Sequence, residues 1–297
     1  MPPPFLGRRA VLAGGAALAL SLSTRAFAAP TGRALVSLDW GISETLYAMG
    51  IPVVGAASVT GYDSIVADPP TPAGTRDVGL WAAPNIELLH QLAPDLVLIQ
   101  AWQAGLLPLL QPISPVETTT IYTRDGSPYA RARAATRAIA NHAGHPDAGE
   151  ALVAAGEVAF AGCRDALRGY DGRPVVVMKV YDGRSLIIFS RCGLFHDVLE
   201  KLGLTNGWAG PPTLLCGASG VDLAGLAGYG EANVVVIGTP GQKANQRLYD
   251  SELWANLPFA RERRIQHVPS FWEFGALPTA HRFAGHLAAA LASVDPA

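Results

Sequence analysis

The sequence predicts an α/β protein of two lobes, each with a central sheet, joined by one long α-helix. Apolar, strand-like runs alternate with amphipathic helical segments, which is the pattern of α/β folds with parallel sheets. A capped helix that leads into an apolar strand, residues 77–99, returns in weaker form at residues 222–237. Between the two copies lies a helical segment of about 20 residues, about 30 Å long at 1.5 Å per residue. Two similar halves imply a cleft between them.

The first 28 residues have the features of an export signal. Arg8 and Arg9 precede an apolar run at residues 10–22, and residues 26–28 form a small-residue cleavage site. The paired arginines fit a twin-arginine signal, and an ordinary secretory signal is the alternative. We therefore expect cleavage near Ala28 and a free periplasmic protein, since no cysteine follows the apolar run to carry a lipid anchor.

The N-terminal lobe, predicted to span residues 29–145, opens with a strand at 34–38, a helix at 43–49 and a second strand at 53–56. Asn85 is the expected N-cap of the following helix. The unbroken apolar run at 96–99 suits a parallel strand that is buried on both faces. This order of elements predicts a parallel sheet.

The connecting helix is predicted at residues 146–169, after a break in the helical pattern at Gly144-His145-Pro146. The C-terminal lobe, residues 170–297, resumes with strands at 175–180 and 186–189 and a helix at 194–202. In the repeated unit that follows, Asp222 takes the place of Asn85 as the N-cap.

Charge and motifs argue against several functional classes. The formal charge of −2 becomes −5 once residues 1–28 are removed, which argues against a nucleic-acid partner. Residues 217–220 match neither a phosphate-binding loop nor a serine-hydrolase elbow. Cys192 and His196 lie four residues apart, but no second pair with zinc-like spacing follows. We therefore expect no catalytic residues, no resident metal and no cofactor.

Five aromatic side chains flank the ends of predicted strands: Trp40, Trp81, Trp102, Trp272 and Phe274. Ligands of open α/β sheets bind beyond the carboxyl ends of the strands. We therefore expect these rings to line the mouth of the cleft. For any single tryptophan, packing in the core or at the rim is the alternative.

Several motifs resemble those of the periplasmic ferric hydroxamate siderophore-binding proteins, within the larger group of cobalamin- and siderophore-binding proteins of ABC importers. The likeness covers nearly the whole chain after residue 28. It is carried by residues 38–40, 77–80, 84–89, 94–95, Trp208 and 268–276. The Pro-x-x-Trp-x-aromatic-Gly pattern in the last segment indicates the hydroxamate branch. The resemblance implies a class III periplasmic substrate-binding protein with a shallow cleft and a ligand that arrives as a complete ferric chelate.

The resemblance also implies the ligand-binding residues. Trp40 and Trp272 match aromatic positions of the family, and Phe274 replaces a tyrosine. Arg184 resembles a family arginine.

Three positions depart from the family pattern. Trp81 stands where the family has an arginine that hydrogen-bonds the hydroxamate oxygens, Gln103 replaces a tyrosine, and Cys216 replaces a tryptophan. Trp102, next to Gln103, is a candidate substitute for the lost tyrosine. We count all four among the expected ligand-binding residues.

Members of the family present one acid on each lobe to arginines of the membrane permease. Glu87 occupies the N-lobe position, and stabilisation of the helix dipole is its alternative role. The second position is Ala224, so Asp222 or Glu231 would have to replace the missing acid.

Together these features predict a monomeric, non-catalytic protein that captures a ferric siderophore, of hydroxamate type, and delivers it to an ABC permease. A different iron chelate, haem or cobalamin on the same scaffold is one alternative. A periplasmic siderophore hydrolase or reductase is another, and a docking or sensory module with a degenerate cleft is a third.

Overall fold

Two five-stranded sheets organise the chain in the computed structural model, which describes residues 32–124, 126–181, 185–211, 217–241 and 243–293. The predicted export signal at residues 1–28 lies outside these ranges, as do Arg184 and Cys216. No helix in the described ranges is long and apolar enough to cross a membrane.

The elements of the first half surround a parallel sheet of strand order β3-β2-β1-β6-β7, and a small antiparallel pair, β4-β5, lies beside it. In chain order they are β1 (Leu35–Ser37), α1 (Trp40–Ala48), β2 (Gly55–Ala56), α2 (Val59–Ile65), β3 (Arg76–Asp77), β4 (Gly79–Leu80), β5 (Ala83–Pro84), α3 (Ile86–Leu92), β6 (Leu96–Gln100), a 3₁₀ helix (Ala101–Leu106), α4 (Leu107–Leu110) and β7 (Val116–Thr119).

Two long helices, α5 (Pro128–Ala143) and α6 (Pro146–Ala166), lead to the second sheet. Its strand order is β10-β9-β8-β11-β12. The elements are β8 (Val175–Val180), β9 (Ser185–Phe189), α7 (Leu194–Lys201), β10 (Ala218–Asp222), a second 3₁₀ helix (Leu223–Tyr229), β11 (Asn233–Ile237), α8 (Lys243–Tyr249), α9 (Glu252–Ala255), α10 (Pro258–Arg261), β12 (Ile265–Val268) and α11 (Leu277–Ala292).

The two sheets share a core arrangement and differ at one edge. In each, the first strand pairs in parallel with the strand of the repeated unit, β1 with β6 and β8 with β11, and a further parallel strand follows. The second sheet, however, continues from β8 into the antiparallel strands β9 and β10. The repeat therefore extends to three strands of each sheet and not to the whole.

Each sheet is covered on both faces, because successive strand residues point to opposite sides. In β8, Val175 and Val177 pack into the core shared with α6, α7 and α11, whereas Val176 and Met178 pack into the core on the other face. The first sheet is divided in the same way.

Helix α5 packs against both halves. Tyr129, Ala132 and Ala135 belong to the core beside the second sheet, and Ile139 and Ala143 belong to the core beside the first. Helix α11 packs on α5, α6, α7 and α1. The halves are therefore joined by a layer of helices as well as by the predicted connecting helix.

One helix starts earlier than the sequence predicts. Helix α1 begins at Trp40, three residues before the predicted start, because the Asp39 side chain accepts a hydrogen bond from the N–H of Ile42 and caps the helix. Trp40 is therefore a helical residue and not part of a loop.

Candidate functional site

Trp40, the first residue of α1, is held from two sides. Its indole N–H donates to the carbonyl oxygen of Ala57 at 3.1 Å, and only 5% of the residue is exposed. A Cβ atom on Gly61 would lie 2.8 Å from the ring. The glycine thus permits a close contact that fixes the orientation of Trp40.

All four predicted tryptophans meet in one group, which we call the tryptophan cluster: Trp40, Trp81, Trp102 and Trp272. The ring centroid of Trp40 lies 5.2 Å from that of Trp81 and 4.9 Å from that of Trp272. Trp81 also lies 5.6 Å from Trp272 and 6.2 Å from Trp102. These distances fall within the range of favourable aromatic pairs. Four separate segments thus build one aromatic surface.

The aromatic surface continues through Phe274 to Tyr122, which is not among the residues predicted from the sequence. The ring of Phe274 lies 5.5 Å from Trp272 and 5.7 Å from Tyr122. Tyr122 follows β7, a parallel strand, so the rule that placed tryptophans at carboxyl strand ends applies to it as well. Its hydroxyl donates to the carbonyl oxygen of Gly275 at 2.5 Å.

The cluster is open to solvent and borders a cavity. Trp102 is 59% exposed, and Trp81 and Trp272 are partly buried. The cavity has a volume of about 450 Å³, which suits part of a small-molecule ligand. Its lining combines aromatic and apolar side chains with a few polar ones: Trp40, Ser58, Thr60, Gly61, Asp77, Gly79, Leu80 and Trp81.

Gln103 is placed differently from the expectation that it contacts ligand. It is 3% exposed, its amide nitrogen donates to the carbonyl oxygens of Leu38 and Trp81, and its amide oxygen accepts from the N–H of Gln100. These bonds occupy both N–H donors and turn the amide inward. Gln103 therefore fixes the backbone at Trp81 through these hydrogen bonds and does not present its amide to the cavity.

Asp39 is a buried acid beneath the cluster. Burial raises the pKa of its carboxyl to about 6, although hydrogen bonds from the Ile42 N–H and from the side chains of Gln100 and Trp102 lower it. In the sequence, Asp39 stands out only as a member of the motif at residues 38–40. Its position two residues after β1 was the available signal.

An ion pair between Lys179 and Glu273 lies next to Trp272, and Glu273 belongs to the loop between β12 and α11. The ammonium of Lys179 is 3.1 Å from the carboxylate of Glu273, whose side chain is only 15% exposed. Lys179 stands near the carboxyl end of β8. The second sheet therefore brings a neutralised charge pair, and not a free cation, to the edge of the aromatic surface.

Trp272 has an unused hydrogen-bond donor. Among the described residues, its indole N–H is buried and has no partner. A buried donor without a partner costs about 1–3 kcal/mol. The N–H has less than 1 Å² of accessible surface, so a ligand would reach it only after a movement of the Trp272 ring.

The two predicted docking acids lie on different halves. Glu87 is exposed in the first turn of α3. Asp222 is also exposed, but its carboxylate caps the second 3₁₀ helix by accepting from the N–H of Gly225 at 3.0 Å. Neither belongs to the aromatic surface.

The described residues contain no group of three or more His, Cys, Asp or Glu side chains that could hold a metal ion. Two predicted ligand contacts, Arg184 and Cys216, lie outside the described ranges, so their positions carry no argument.

Comparisons with known proteins agree with this architecture. A family model described as "Periplasmic binding protein" matches residues 35–270. The iron(3+)-hydroxamate-binding protein FhuD of Escherichia coli K12 is 30% identical over 288 residues, covering 94% of this chain and 95% of its own.

Solved structures show the same fold. The siderophore-binding protein FhuD of Vibrio cholerae, bound to Fe³⁺-Desferal, has a TM-score of 0.83 at 24% identity and covers 90% of this chain and 100% of its own. The triscatecholate siderophore-binding protein FeuA of Bacillus subtilis, complexed with ferri-bacillibactin, has a TM-score of 0.69 at 15% identity, covering 88% and 93%. The predicted two-lobed α/β class and the family resemblance are confirmed. The chain belongs to the periplasmic binding protein family.

Proposed function

We propose that the protein captures a ferric siderophore of hydroxamate type in the periplasm and delivers it to an ABC permease. Membership of a family of binding proteins makes the chain a binder and not an enzyme. The 30% identity to a protein named for binding iron(3+)-hydroxamate supports this ligand class.

The tryptophan cluster is the observation that carries the proposal. Its rings meet where strands of both sheets end, which is where ligands of such folds bind. Aromatic faces bury the apolar parts of an organic chelator.

Charge at the site also favours this ligand class. A ferric tris-hydroxamate is electrically neutral, whereas a ferric tris-catecholate is trianionic and requires cations around it. Trp81 replaces the arginine that the family resemblance implies, and Lys179 is already paired with Glu273. The described part of the site therefore presents no net positive charge, which suits a neutral chelate.

Delivery requires export and a permease partner. Residues 1–28 are proposed as a twin-arginine signal cleaved near Ala28, and the mature protein is proposed to act as a monomer. Glu87, exposed at the start of α3, is the proposed permease contact of the first half, and Asp222 that of the second. The ligand would bring its own Fe³⁺, so no resident cofactor is part of the proposal.

Tryptophan fluorescence tests the ligand class directly. The purified protein is titrated with ferrichrome, ferrioxamine, a ferric catecholate, haem and cobalamin, and free N-acetyltryptophanamide corrects for light absorbed by each ligand. Saturable quenching by a hydroxamate is expected. Quenching by none of the five would refute the transport proposal, and selective quenching by haem, cobalamin or the catecholate would replace the ligand class.

A further inference from the structure

Glu44 is a fully buried acid that joins helix α1 to the start of helix α11. One carboxylate oxygen accepts from the N–H of Ala276 at 2.5 Å. The other accepts from the hydroxyl of Thr279 at 2.8 Å and from the Arg282 guanidinium at 3.2 Å. The exposed fraction of Glu44 is 0%. One side chain of the first half thus holds three residues near the other end of the chain.

The carboxylate caps a helix that lacks a cap of its own. Helix α11 starts at Leu277, and the side chain of Ala276 makes no capping hydrogen bond. A negative charge at this end is favoured by the helix dipole and satisfies an otherwise free N–H. Glu44 supplies that charge from another helix, so the start of α11 is fixed relative to α1.

The contact is in register with the tryptophan cluster. Trp40 and Glu44 lie four residues apart on α1 and therefore on the same helix face. Trp272 and Ala276 also lie four residues apart, and the pairs match: Trp40 contacts Trp272, and Glu44 binds Ala276. Helix α1 thus holds both ends of the segment that carries Trp272.

Close packing at Gly275 leaves this segment little freedom. A Cβ atom at Gly275 would lie 2.3 Å from the Thr279 hydroxyl and 2.9 Å from a Glu44 oxygen. The carbonyl oxygen of Gly275 also accepts from Tyr122. The backbone is therefore held by a carboxylate on one side and by a phenol on the other.

The surrounding charges fit this role. Burial raises the pKa of the Glu44 carboxyl, while Arg282 and the hydrogen bonds from Ala276 and Thr279 lower it. Arg282 also lies 3.6 Å from the Asp68 carboxylate. A buried carboxylate is costly unless it is paired and hydrogen-bonded, so Glu44 favours the loop conformation that supplies these partners.

We propose that Glu44 is a positioning residue of the ligand site, which sets the Trp272–Phe274 loop against Trp40 through the start of α11. The expected effect of Glu44 on ligand affinity rests on the proposed function. Its expected effect on the arrangement of the tryptophan cluster does not. It extends the site to a residue that need not touch ligand.

The test compares Glu44→Gln with Glu150→Gln, an exposed acid that pairs with Arg137 at 2.7 Å. The amide of Glu44→Gln keeps one oxygen for Ala276 but turns N–H donors toward Arg282. We expect the near-ultraviolet circular dichroism of the tryptophan cluster to change in the ligand-free protein. We also expect the Kd for ferrioxamine to rise about tenfold, the size of one misplaced aromatic contact. Glu150→Gln should change neither.

Two further variants separate positioning from loss of stability. Thr279→Val removes the hydroxyl that donates to Glu44 and accepts from Arg282, and it leaves the hydrogen bond from the Ala276 N–H to Glu44 in place. It should shift the spectrum and the Kd in the same direction as Glu44→Gln but by less. Val234→Ala truncates the core of the second sheet on the face away from α11 and should lower stability without changing the Kd.

An unchanged spectrum and an unchanged Kd in Glu44→Gln would overturn the inference. If Glu44→Gln does not fold, the same two results in Thr279→Val would do so. If the wild type binds no chelate, the proposed function fails, and the ligand-free spectra still decide whether Glu44 positions the loop.

Discussion

The two halves of the protein repeat a scaffold but not a site. Asn85 caps α3 by accepting from Leu88, and Asp222 caps the second 3₁₀ helix by accepting from Gly225, each three residues ahead. A central parallel strand follows in both halves. Yet Trp40, Trp81 and Trp102 all stand on the first half, whereas near the corresponding strand ends the second half offers Lys179 and the Trp272 loop.

That difference teaches how the site is held together. The Trp272 loop belongs to the second half by sequence, but Glu44 and Tyr122 of the first half hydrogen-bond its end. The whole aromatic surface, including the Trp272 loop, is therefore attached to the first half of the protein. Three predictions test this asymmetry.

The largest expected effect concerns Asp39, the buried cap in the first half. Its pKa of about 6 in the folded protein lies above the ordinary carboxyl value of 3.8, so the folded protein binds this proton more tightly than the unfolded chain does. The resulting stability is fully present below about pH 4 and is lost as pH rises through about pH 6, a change of about 3 kcal/mol. Asp39→Asn should remove this loss. The measurement is the free energy of urea unfolding between about pH 4 and pH 7.

Asp222→Asn provides the matched control in the second half. Asn and Asp are equally good N-caps, and Asp222 is exposed, so its unfolding free energy should follow that of the wild type. If Asp39→Asn retains the wild-type pH slope, the buried acid of the first half has no special role in stability.

The next effect concerns ligand affinity. Trp81→Ala and Trp272→Ala should each raise the Kd for ferrioxamine about 30-fold, which corresponds to about 2 kcal/mol and to a binding hot spot. Equal losses are expected because each ring contacts at least two other members of the cluster. Fluorescence titration measures both, and Cys192→Ala should leave the Kd unchanged. If only Trp81→Ala weakened binding, Trp272 of the second half would make no contact with the ligand.

The smallest effect concerns the helix layer that joins the halves. A Cβ atom on Gly156 of α6 would lie 2.0 Å from the imidazole of His281 on α11, whereas Gly162 of the same helix faces open space. Gly156→Ala should therefore lower the unfolding free energy by about 1 kcal/mol, because overpacking outweighs the gain in helix propensity. Gly162→Ala should raise it by up to about 1 kcal/mol through helix propensity. Urea denaturation measures both changes. If the unfolding free energy changed with the same sign in the two variants, the close approach of α6 and α11 would be contradicted.

Local patterns in the sequence predicted most of the elements. The break at residues 144–146 separates α5 from α6, and the apolar run at 96–99 lies within β6. The start of α1 was missed because Asp39 acts as a cap two residues after a strand of three residues, which is too short a stretch for periodicity to show where the strand ends and the helix begins. The helix of the second copy is a 3₁₀ helix. Its Gly-rich sequence, Leu223–Tyr229, has low helix propensity.

The site was predictable only in part. The rule that loops after parallel strands meet at one edge of a sheet was enough to select four tryptophans and Phe274. Gln103 was selected by the family resemblance, but the fold turns its side chain inward, where its amide donates to the carbonyl oxygen of Trp81. Burial and hydrogen bonding depend on neighbours that are distant in sequence, so neither can be seen in a local pattern.

The sequence alone determined the fold class, the repeated unit and the aromatic composition of the strand ends, since these follow from periodicity, capping and residue type. Tertiary structure decided which side chains meet. Trp40 and Trp272 become neighbours, and Glu44 reaches Ala276, only when the first and last elements of the chain pack together. Contacts across more than two hundred residues carry no local signature, because their energy is gained only after the whole chain has closed around them.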